Sequence, residues 1–152
     1  DEEIEVGPYL TGLCTSLSQS MIGQNKFVTL AVEASPGMTT SAEAISLGLI
    51  TTELVINALK HAFPLERRGH ITVVYEIAKG DWTLSVSDDG IGITINPARK
   101  GGLGVTIVQS LARQLGAVVE RKTGPHGTTV SIMHTSPVIE MSPLSPSALP
   151  VS

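Results

Sequence analysis

The sequence predicts an α+β fold: a two-layer α/β sandwich in which helices cover one face of a mixed, mostly antiparallel sheet. Two observations carry this prediction. Apolar residues recur at helical spacing in three segments and alternate with polar neighbours, as in strands, in five others. Four of those five strands follow one another as two hairpins, and hairpins separated by helices are typical of this class. We therefore expect every helix on one face of the sheet, with solvent or a partner on the other.

The N-terminal part of the chain is predicted to form a helix followed by a strand. The helix begins near Pro8, which the first turn of a helix tolerates, and ends at Gly23. Lys26–Glu33 alternates apolar and polar residues and so predicts a strand, which stops before a turn at Pro36. The apolar positions of the helix are Leu10, Leu13, Cys14, Leu17 and Met21.

The longest predicted helix lies in the middle of the chain. Thr40–Glu43 has the capping-box pattern, in which a hydroxyl and a carboxylate three residues later satisfy N–H groups at the start of a helix. The helix is expected to run from about Ser41 to Phe63, because Pro64 lacks the N–H that would continue it.

Two hairpins and a third helix complete the predicted fold. The helix covers Val105–Leu115 and ends at Gly116, a typical C-terminal cap residue. The four predicted strands are Ile71–Ile77 and Trp82–Ser87, joined at Lys79–Asp81, then Val118–Lys122 and Thr128–Met133, joined at Gly124–Gly127.

The chain is organised as one domain with a short segment on either side. Its 152 residues are the length of a single domain. We assign residues 9–134 to this domain and the acidic residues 1–8 to a lead-in. Residues 135–152 are rich in Ser and Pro and have no apolar periodicity, so we expect a disordered tail.

Composition excludes some classes of function. The net charge of -4 and the absence of a basic cluster argue against nucleic-acid binding. An acidic chain that binds a polyanion needs a metal ion, a few cations or backbone N–H groups at the site. The single cysteine, Cys14, excludes an internal disulfide and fits a reducing, cytoplasmic location. We expect no membrane-spanning helix, because no stretch approaches the roughly 20 consecutive apolar residues that such a helix needs.

Four polar residues interrupt the apolar pattern of the middle helix: Glu53, Asn57, Lys60 and His61. Spacings of four, three and one residues put them on one face. Any one of them alone is an ordinary member of a solvated helix face. As a set they suit a metal-bound triphosphate: the amide oxygen as a Mg²⁺ ligand, the carboxylate for a proton or a metal-bound water, and Lys60 as a charge for phosphate.

The segment from Asp88 to Gly92 follows a predicted strand. Asp88 at the strand end can accept a hydrogen bond from an exocyclic amine, and Gly90 and Gly92 permit close approach of the backbone. Taken alone, this pattern is also that of an ordinary acidic turn.

A second glycine-rich segment lies immediately before the third helix. Glycines that open a helix leave N–H groups directed outward, which is a phosphate-binding arrangement, although a hinge is the alternative. The segment is neither a Walker A motif nor a dinucleotide fingerprint. Its residues are Gly102, Leu103 and Gly104. Near the end of the domain Gly127 and Thr128 open the last strand, where the hydroxyl could contact a base or belong to a turn.

Together these segments resemble the histidine-kinase branch of the GHKL ATPases, which share the Bergerat ATP-binding fold. Glu53–Pro64 is similar to the N-box, Asp88–Gly92 to the G1 box, Gly102–Gly104 to the G2 box and Gly127-Thr128 to the closing motif. The amino-acid sequence of the N-box and of the residues before it resembles that of the HWE and HisKA_2 subfamilies, which include light sensors. Each motif is weak alone, but the four occur in the family's order.

The resemblance implies a phosphate end of the site. Asn57 would hold Mg²⁺, and Lys60 and His61 would contact phosphate oxygens. Glu53 stands where related ATPases keep a catalytic carboxylate and, with Lys60, is the expected catalytic pair. Backbone N–H groups would come from Gly102, Leu103 and Gly104.

The resemblance also implies a base end. Asp88 would accept from the adenine amino group, Thr128 would help through water, and Gly90 and Gly92 would line the base pocket. The sequence departs from the family between Gly92 and Gly102, where no F-box phenylalanine is present and the ATP lid is short.

The function implied is that of the ATP-binding catalytic domain of a two-component sensor histidine kinase. It would use ATP and Mg²⁺ to phosphorylate a histidine on a dimerisation domain that precedes residues 1–8, and the full kinase would serve a response regulator. An anti-sigma factor with serine kinase activity is the alternative. A degenerate binding module also stays open, whereas hydrolytic members of the family, which need further domains and a longer lid, fit less well.

Overall fold

A computed structural model describes residues 2–20, 27–62, 68–91 and 103–135, with the side chains of 103–106 left out. The helices in these ranges are α1 (Val6–Ser20), α2 (Ser41–His61) and α3 (Leu103–Gln114). The strands are β1 (Glu3–Glu5), β2 (Val28–Ala34), β3 (Met38–Thr40), β4 (Gly69–Ala78), β5 (Asp81–Asp88), β6 (Ala117–Gly124) and β7 (Gly127–His134).

Five of these strands form one sheet in the order β2-β4-β5-β7-β6. The pairings β4–β5, β5–β7 and β6–β7 are antiparallel, whereas β2 pairs with β4 in parallel. The predicted mixed and mostly antiparallel sheet is therefore confirmed, together with both hairpins.

All three helices pack on one face of this sheet, as predicted. The alternating residues of the central strands are buried with them in one core. On the opposite face, serine and threonine hydroxyls pair across strands: Ser85 with Ser131 and Ser87 with Thr129, each at 3.0 Å. A face built from half-exposed hydroxyls suits solvent, which explains why no second layer of helices is needed there. The buried apolar strand residues of the core are Val28, Ile71, Val73, Tyr75, Trp82, Leu84, Val86, Val130 and Ile132.

Helix α2 is the central element of the helical layer. The hydroxyl oxygen of Thr40 accepts a hydrogen bond from the N–H of Glu43 at 3.1 Å, so the predicted N-cap is present. The carboxylate of Glu43 accepts a hydrogen bond from the hydroxyl of Thr39. The helix ends at His61, two residues before the predicted limit.

The expectation that no stretch could span a membrane needs correction for α2. Its 21 residues are long and apolar enough to be a candidate span by length and composition. The same apolarity has another cause here, because eight of its residues are buried, five of them in the hydrophobic core. Apolar residues that pack against a protein core raise the apolarity of a helix in the same way as residues that face lipid. These residues are Ala44, Leu47, Gly48, Ile50, Thr51, Leu54, Val55 and Ala58.

The first residues of the chain differ from the predicted lead-in. Glu3–Glu5 pairs antiparallel with Met38–Thr40 in a separate two-stranded sheet, and Val6 is completely buried. A strand of three residues has too little periodicity to be recognised in a sequence. In this strand only Ile4 is apolar, and the two glutamates around it favoured the interpretation as an acidic lead-in. The ordered fold therefore begins before Tyr9. The predicted end of α1 at Gly23 and the tail after residue 135 lie outside the described residues.

Candidate functional site

The ends of β5 and β7 form one corner of the site. Asp88 continues the inward alternation of β5, and its register partner on β7 is Thr128. The carboxylate oxygen Oδ1 of Asp88 accepts hydrogen bonds from the N–H of Gly90 at 2.9 Å and from the N–H of Thr128 at 3.3 Å. Thr128 is buried, and its hydroxyl pairs with that of Thr123 at 2.9 Å. Backbone donors from two directions thus fix the orientation of a half-buried carboxylate on the helix-covered face.

Two glycines make this corner possible. Gly127 has φ of 131°, and a Cβ there would lie 1.9 Å from the carbonyl oxygen of Asp88. A Cβ on Gly90 would lie 2.3 Å from the carbonyl oxygen of Ala62, the residue that follows α2. The N–H of Ile91 donates to that same oxygen at 3.0 Å. The loop after Asp88 is therefore fastened to the C-terminal end of α2, which brings the N-box and G1 segments together.

A cavity of about 240 Å³ lies between α2, α3 and the strands β6 and β7. Asn57 lines it from α2, and Val130 lines it from β7. Val130 stands two residues beyond Thr128 on the same inward face of β7, so the cavity lies on the same side of the sheet as the Asp88 corner. The complete set of lining residues is Leu54, Asn57, Val108, Gln109, Val119, Arg121 and Val130.

The four polar residues of α2 differ in their surroundings. Glu53 and Asn57 are half-buried, whereas Lys60 and His61 are exposed in the last turn. Asn57 is the one of the four that lines the cavity. Lys60 and His61 directly precede Ala62, to which the loop after Asp88 is hydrogen-bonded, and cations in the last turn also interact favourably with the negative end of the helix dipole. Lys60 and His61 can therefore stabilise the end of α2 and also contact a ligand.

The G2 segment is covered only in part. Helix α3 begins at Leu103, two residues before the predicted start. The N–H groups of Leu103 and Gly104 consequently belong to the first turn, where no carbonyl within the helix can accept from them. Gly92 and Gly102 lie outside the described residues.

Sequence reasoning missed two features close to these segments. Arg121 and Gln109 line the cavity, although neither belongs to a motif. The alternation of β6 could have pointed to Arg121, because Arg121 lies two residues after the apolar Val119 and therefore on the same face of the strand.

Asp89, beside Asp88, is the second feature. It accepts from the N–H of His70 at 2.7 Å and pairs with the ring Nδ1 of His70 at 2.9 Å. Partial burial opposes ionisation, but the hydrogen bonds and the charge interaction with His70 prevail and lower the pKa of Asp89 below its ordinary value. This pair fastens the strand-end loop to β4.

Comparison with known proteins identifies the family. A profile of the histidine kinase-, DNA gyrase B- and HSP90-like ATPases matches residues 42–137, well over half of the chain. The chain belongs to this ATPase family. The predicted resemblance is confirmed, and membership implies ATP as the nucleotide of this ATPase domain.

Three relatives within this family show which kinds of protein the chain is similar to. Blue-light-activated histidine kinase 2 of Erythrobacter litoralis is 30% identical over 135 residues, covering 87% of the chain and 38% of that kinase. The solved histidine kinase domain of a blue-light-activated kinase from the same species has a TM-score of 0.77 at 29% identity, covering 86% of the chain and 65% of the structure. Serine-protein kinase RsbW of Listeria innocua is 33% identical over 88 residues, covering 47% of the chain and 56% of RsbW. The chain thus spans well under half the length of the first kinase.

The donor set fits a magnesium ion that arrives with a nucleotide. No group of three His, Cys, Asp or Glu residues suited to a metal is found in the described ranges. Mg²⁺ does not need such a cage, because it keeps several waters and is usually held by one or two protein oxygens together with phosphates. Asn57, at the cavity wall, has an amide oxygen that would suit such a site, and Glu53 lies one turn away on α2.

Proposed function

We propose that this chain is the ATP-binding catalytic domain of a sensor histidine kinase. It binds Mg·ATP and presents the γ-phosphate to a histidine carried by a separate dimerisation domain, within a cytoplasmic kinase that serves a response regulator. The observation that carries the proposal is that Asn57 and the Asp88–Thr128 corner lie on the same helix-covered side of the sheet, where Asn57 lines a cavity together with Val130, two residues from Thr128.

The base end of the site is built around Asp88. Its oriented carboxylate accepts from the exocyclic amine of adenine, with Thr128 assisting through water. Gly90 and Gly92 keep side chains away from the plane of the base. Because backbone donors already fix the carboxylate, recognition of the amine needs little reorganisation of the protein.

The phosphate end is built around α2 and the start of α3. Asn57 holds the metal ion, which supplies charge neutralisation when bound. Lys60 and His61 contact phosphate oxygens, and Glu53 polarises the attacking histidine or orders the metal. The N–H groups at Gly102, Leu103 and Gly104 add backbone donors. The protein's share of catalysis is positioning and stabilisation of the charge on the transferred group.

The histidines of the described residues support an acceptor in another domain. His70 is occupied with Asp89, and His134 stacks on Trp82 with ring centroids 5.5 Å apart. His126 lies in an exposed turn between β6 and β7. None of these three stands on a helix from which it could be presented to the cavity.

An anti-sigma factor with serine kinase activity is the second candidate, because the match to RsbW supports it. The chemical stability of the product separates the two, since phosphohistidine is acid-labile and phosphoserine is acid-stable. The chain, labelled ATP and a histidine-bearing dimerisation domain should give an acid-labile product, whereas the chain alone should label weakly. An acid-stable product on a serine-bearing partner protein would favour the second candidate.

Titration calorimetry with Asn57→Ala tests the binding step. We expect at least about a tenfold loss of Mg·ADP affinity, because an oxygen ligand of the metal is removed, and a much smaller loss when the metal is chelated. Thr52→Ala is the matched control, since Thr52 stands on the same helix and does not line the cavity. Unchanged Mg·ADP affinity in Asn57→Ala would show the assigned role to be wrong.

A further inference from the structure

Strand β6 carries a cation on its helix-covered face. Val119 packs against the core, and Arg121, two residues later, has the same inward phase. Its register partner on β7 is Val130, another core residue. Positions of this phase normally take apolar side chains, as Val119 and Val130 do. An arginine there, on an edge strand with ready access to solvent, calls for a chemical reason.

Arg121 faces the cavity that Asn57 lines from the other side. It also stands two residues from Thr123, whose hydroxyl bonds that of Thr128 in the Asp88 corner. Two residues of a strand span roughly 7 Å. That separation matches the distance from a purine ring, across the ribose, toward the first phosphate. With adenine at Asp88, the long side chain of Arg121 comes within reach of the phosphates nearest to the sugar.

The charge of Arg121 is not neutralised within the described part of the protein. The ion pair found there joins His70 to Asp89, and no described carboxylate pairs with Arg121. The net charge of the whole chain is -4, so a polyanionic ligand meets an unfavourable overall field. A local cation at the cavity wall offsets this, and a guanidinium can engage two phosphate oxygens at once.

We propose that Arg121 binds a phosphate of the nucleotide, at the end nearest to the ribose. This proposal rests on the proposed function, because it requires the cavity to be the nucleotide site. It adds a positive group from the sheet to those that α2 provides. The N-box, G1 and G2 segments lie elsewhere in the chain, and Arg121 belongs to none of them.

The proposal is tested by comparing wild type with Arg121→Gln. Calorimetry and nuclear magnetic resonance titration measure the affinity of each protein for ADP, AMP and adenosine. Arg121→Gln should lose at least about tenfold in affinity for ADP and AMP, while affinity for adenosine stays unchanged, since hydrogen bonds to charged groups are among the stronger ones. Arg121→Lys should retain part of the phosphate affinity. Lys122→Gln is the control, because it removes the same charge from the next residue, whose side chain has the opposite phase.

The outcomes separate the possible errors. An equal loss for adenosine and ADP would show that Arg121 supports the base or the fold and would overturn the proposal, and so would unchanged ADP affinity. Thermal unfolding of each variant excludes a loss of folded protein as the cause. If wild type itself fails to bind ADP, the proposed function fails, and this inference fails with it.

Discussion

The backbone N–H of Thr128 donates a hydrogen bond of 3.3 Å to Oδ1 of Asp88, although 40 positions separate the two residues in the chain. The bond joins the end of β5 to the start of β7, and the N–H of Gly90 donates to the same oxygen. Asp88 therefore has a structural role in addition to the proposed recognition of adenine. Experiments on this residue must separate the two roles.

Asp88→Asn makes that separation. Its amide oxygen can still accept from Gly90 and Thr128, but the other side of the group becomes a donor and repels the amine of adenine. We expect stability close to wild type and at least about a tenfold loss of ADP affinity, because hydrogen bonds to charged groups contribute roughly 1.5–3 kcal/mol. Inosine diphosphate, which carries a carbonyl in place of the amine, should bind the variant relatively better. Calorimetry with both nucleotides and urea denaturation measure these effects, and wild-type ADP affinity would contradict the assigned role.

Gly127→Ala should damage the corner from the strand side. The added Cβ would lie 1.9 Å from the carbonyl oxygen of Asp88, at a φ of 131° that residues other than glycine rarely adopt. We expect a loss of roughly 2–4 kcal/mol in the free energy of unfolding, because strained backbone and steric overlap combine.

Gly124→Ala is the matched control for that change, since it lies in the same hairpin. A Cβ on Gly124 meets nothing within 4 Å, so we expect a change within about 0.5 kcal/mol. Urea denaturation of both variants makes the comparison. Equal stability of the two would mean that the close approach of Gly127 to Asp88 does not hold in solution.

The sequence predicted those parts of the fold that depend on local signals. Helix α2 was found from its cap at Thr40 and its apolar pattern, and both hairpins were found from alternation and turn residues. Strand partners are a different matter, because alternation alone does not say which strand lies beside which. The parallel pairing of β2 with β4 and the small sheet formed by Glu3–Glu5 were therefore beyond reach.

The site was predicted through the resemblance more than through the residues themselves. Asp88 and Thr128 meet through the register of two strands, which no local pattern encodes. Arg121 was missed because it belongs to no motif, and the sequence alone does not show that its side of the edge strand lines a cavity. Its phase relative to Val119 becomes meaningful only when α3 and the cavity are known.

The pair formed by Asp89 and His70 predicts a dependence of stability on pH. The pKa of Asp89 is lowered from its ordinary value of 3.8. Its contribution to stability is thus fully present above about pH 3.8 and is lost as the pH falls through the lower folded-state pKa. Asp89→Asn should melt slightly below wild type near neutral pH, with a small difference because both side chains are largely exposed.

Thermal unfolding of wild type and Asp89→Asn as a function of pH measures this effect, and the two melting curves should converge in strong acid. Glu76→Gln, which removes an exposed carboxylate from β4, is the control and should track wild type at every pH. A constant difference between Asp89→Asn and wild type down to the lowest pH would mean that ionisation of Asp89 is not the cause.

Cys14 offers a probe of the packing between α1 and the sheet. Its side chain is 3% exposed, and burial raises the pKa of its thiol to about 11. Because the thiolate is the reactive form, the native protein should react with a disulfide reagent at pH 8 orders of magnitude more slowly than the unfolded chain. Rapid labelling of native protein would mean that α1 opens frequently, and the labelling rate would then measure that opening.

The raised pKa of Cys14 also predicts that stability falls as the pH rises above the unfolded-state pKa near 9, since the thiol of the unfolded chain loses its proton first. Wild type should therefore lose stability between pH 9 and 11 relative to Cys14→Ala, which has no thiol to titrate.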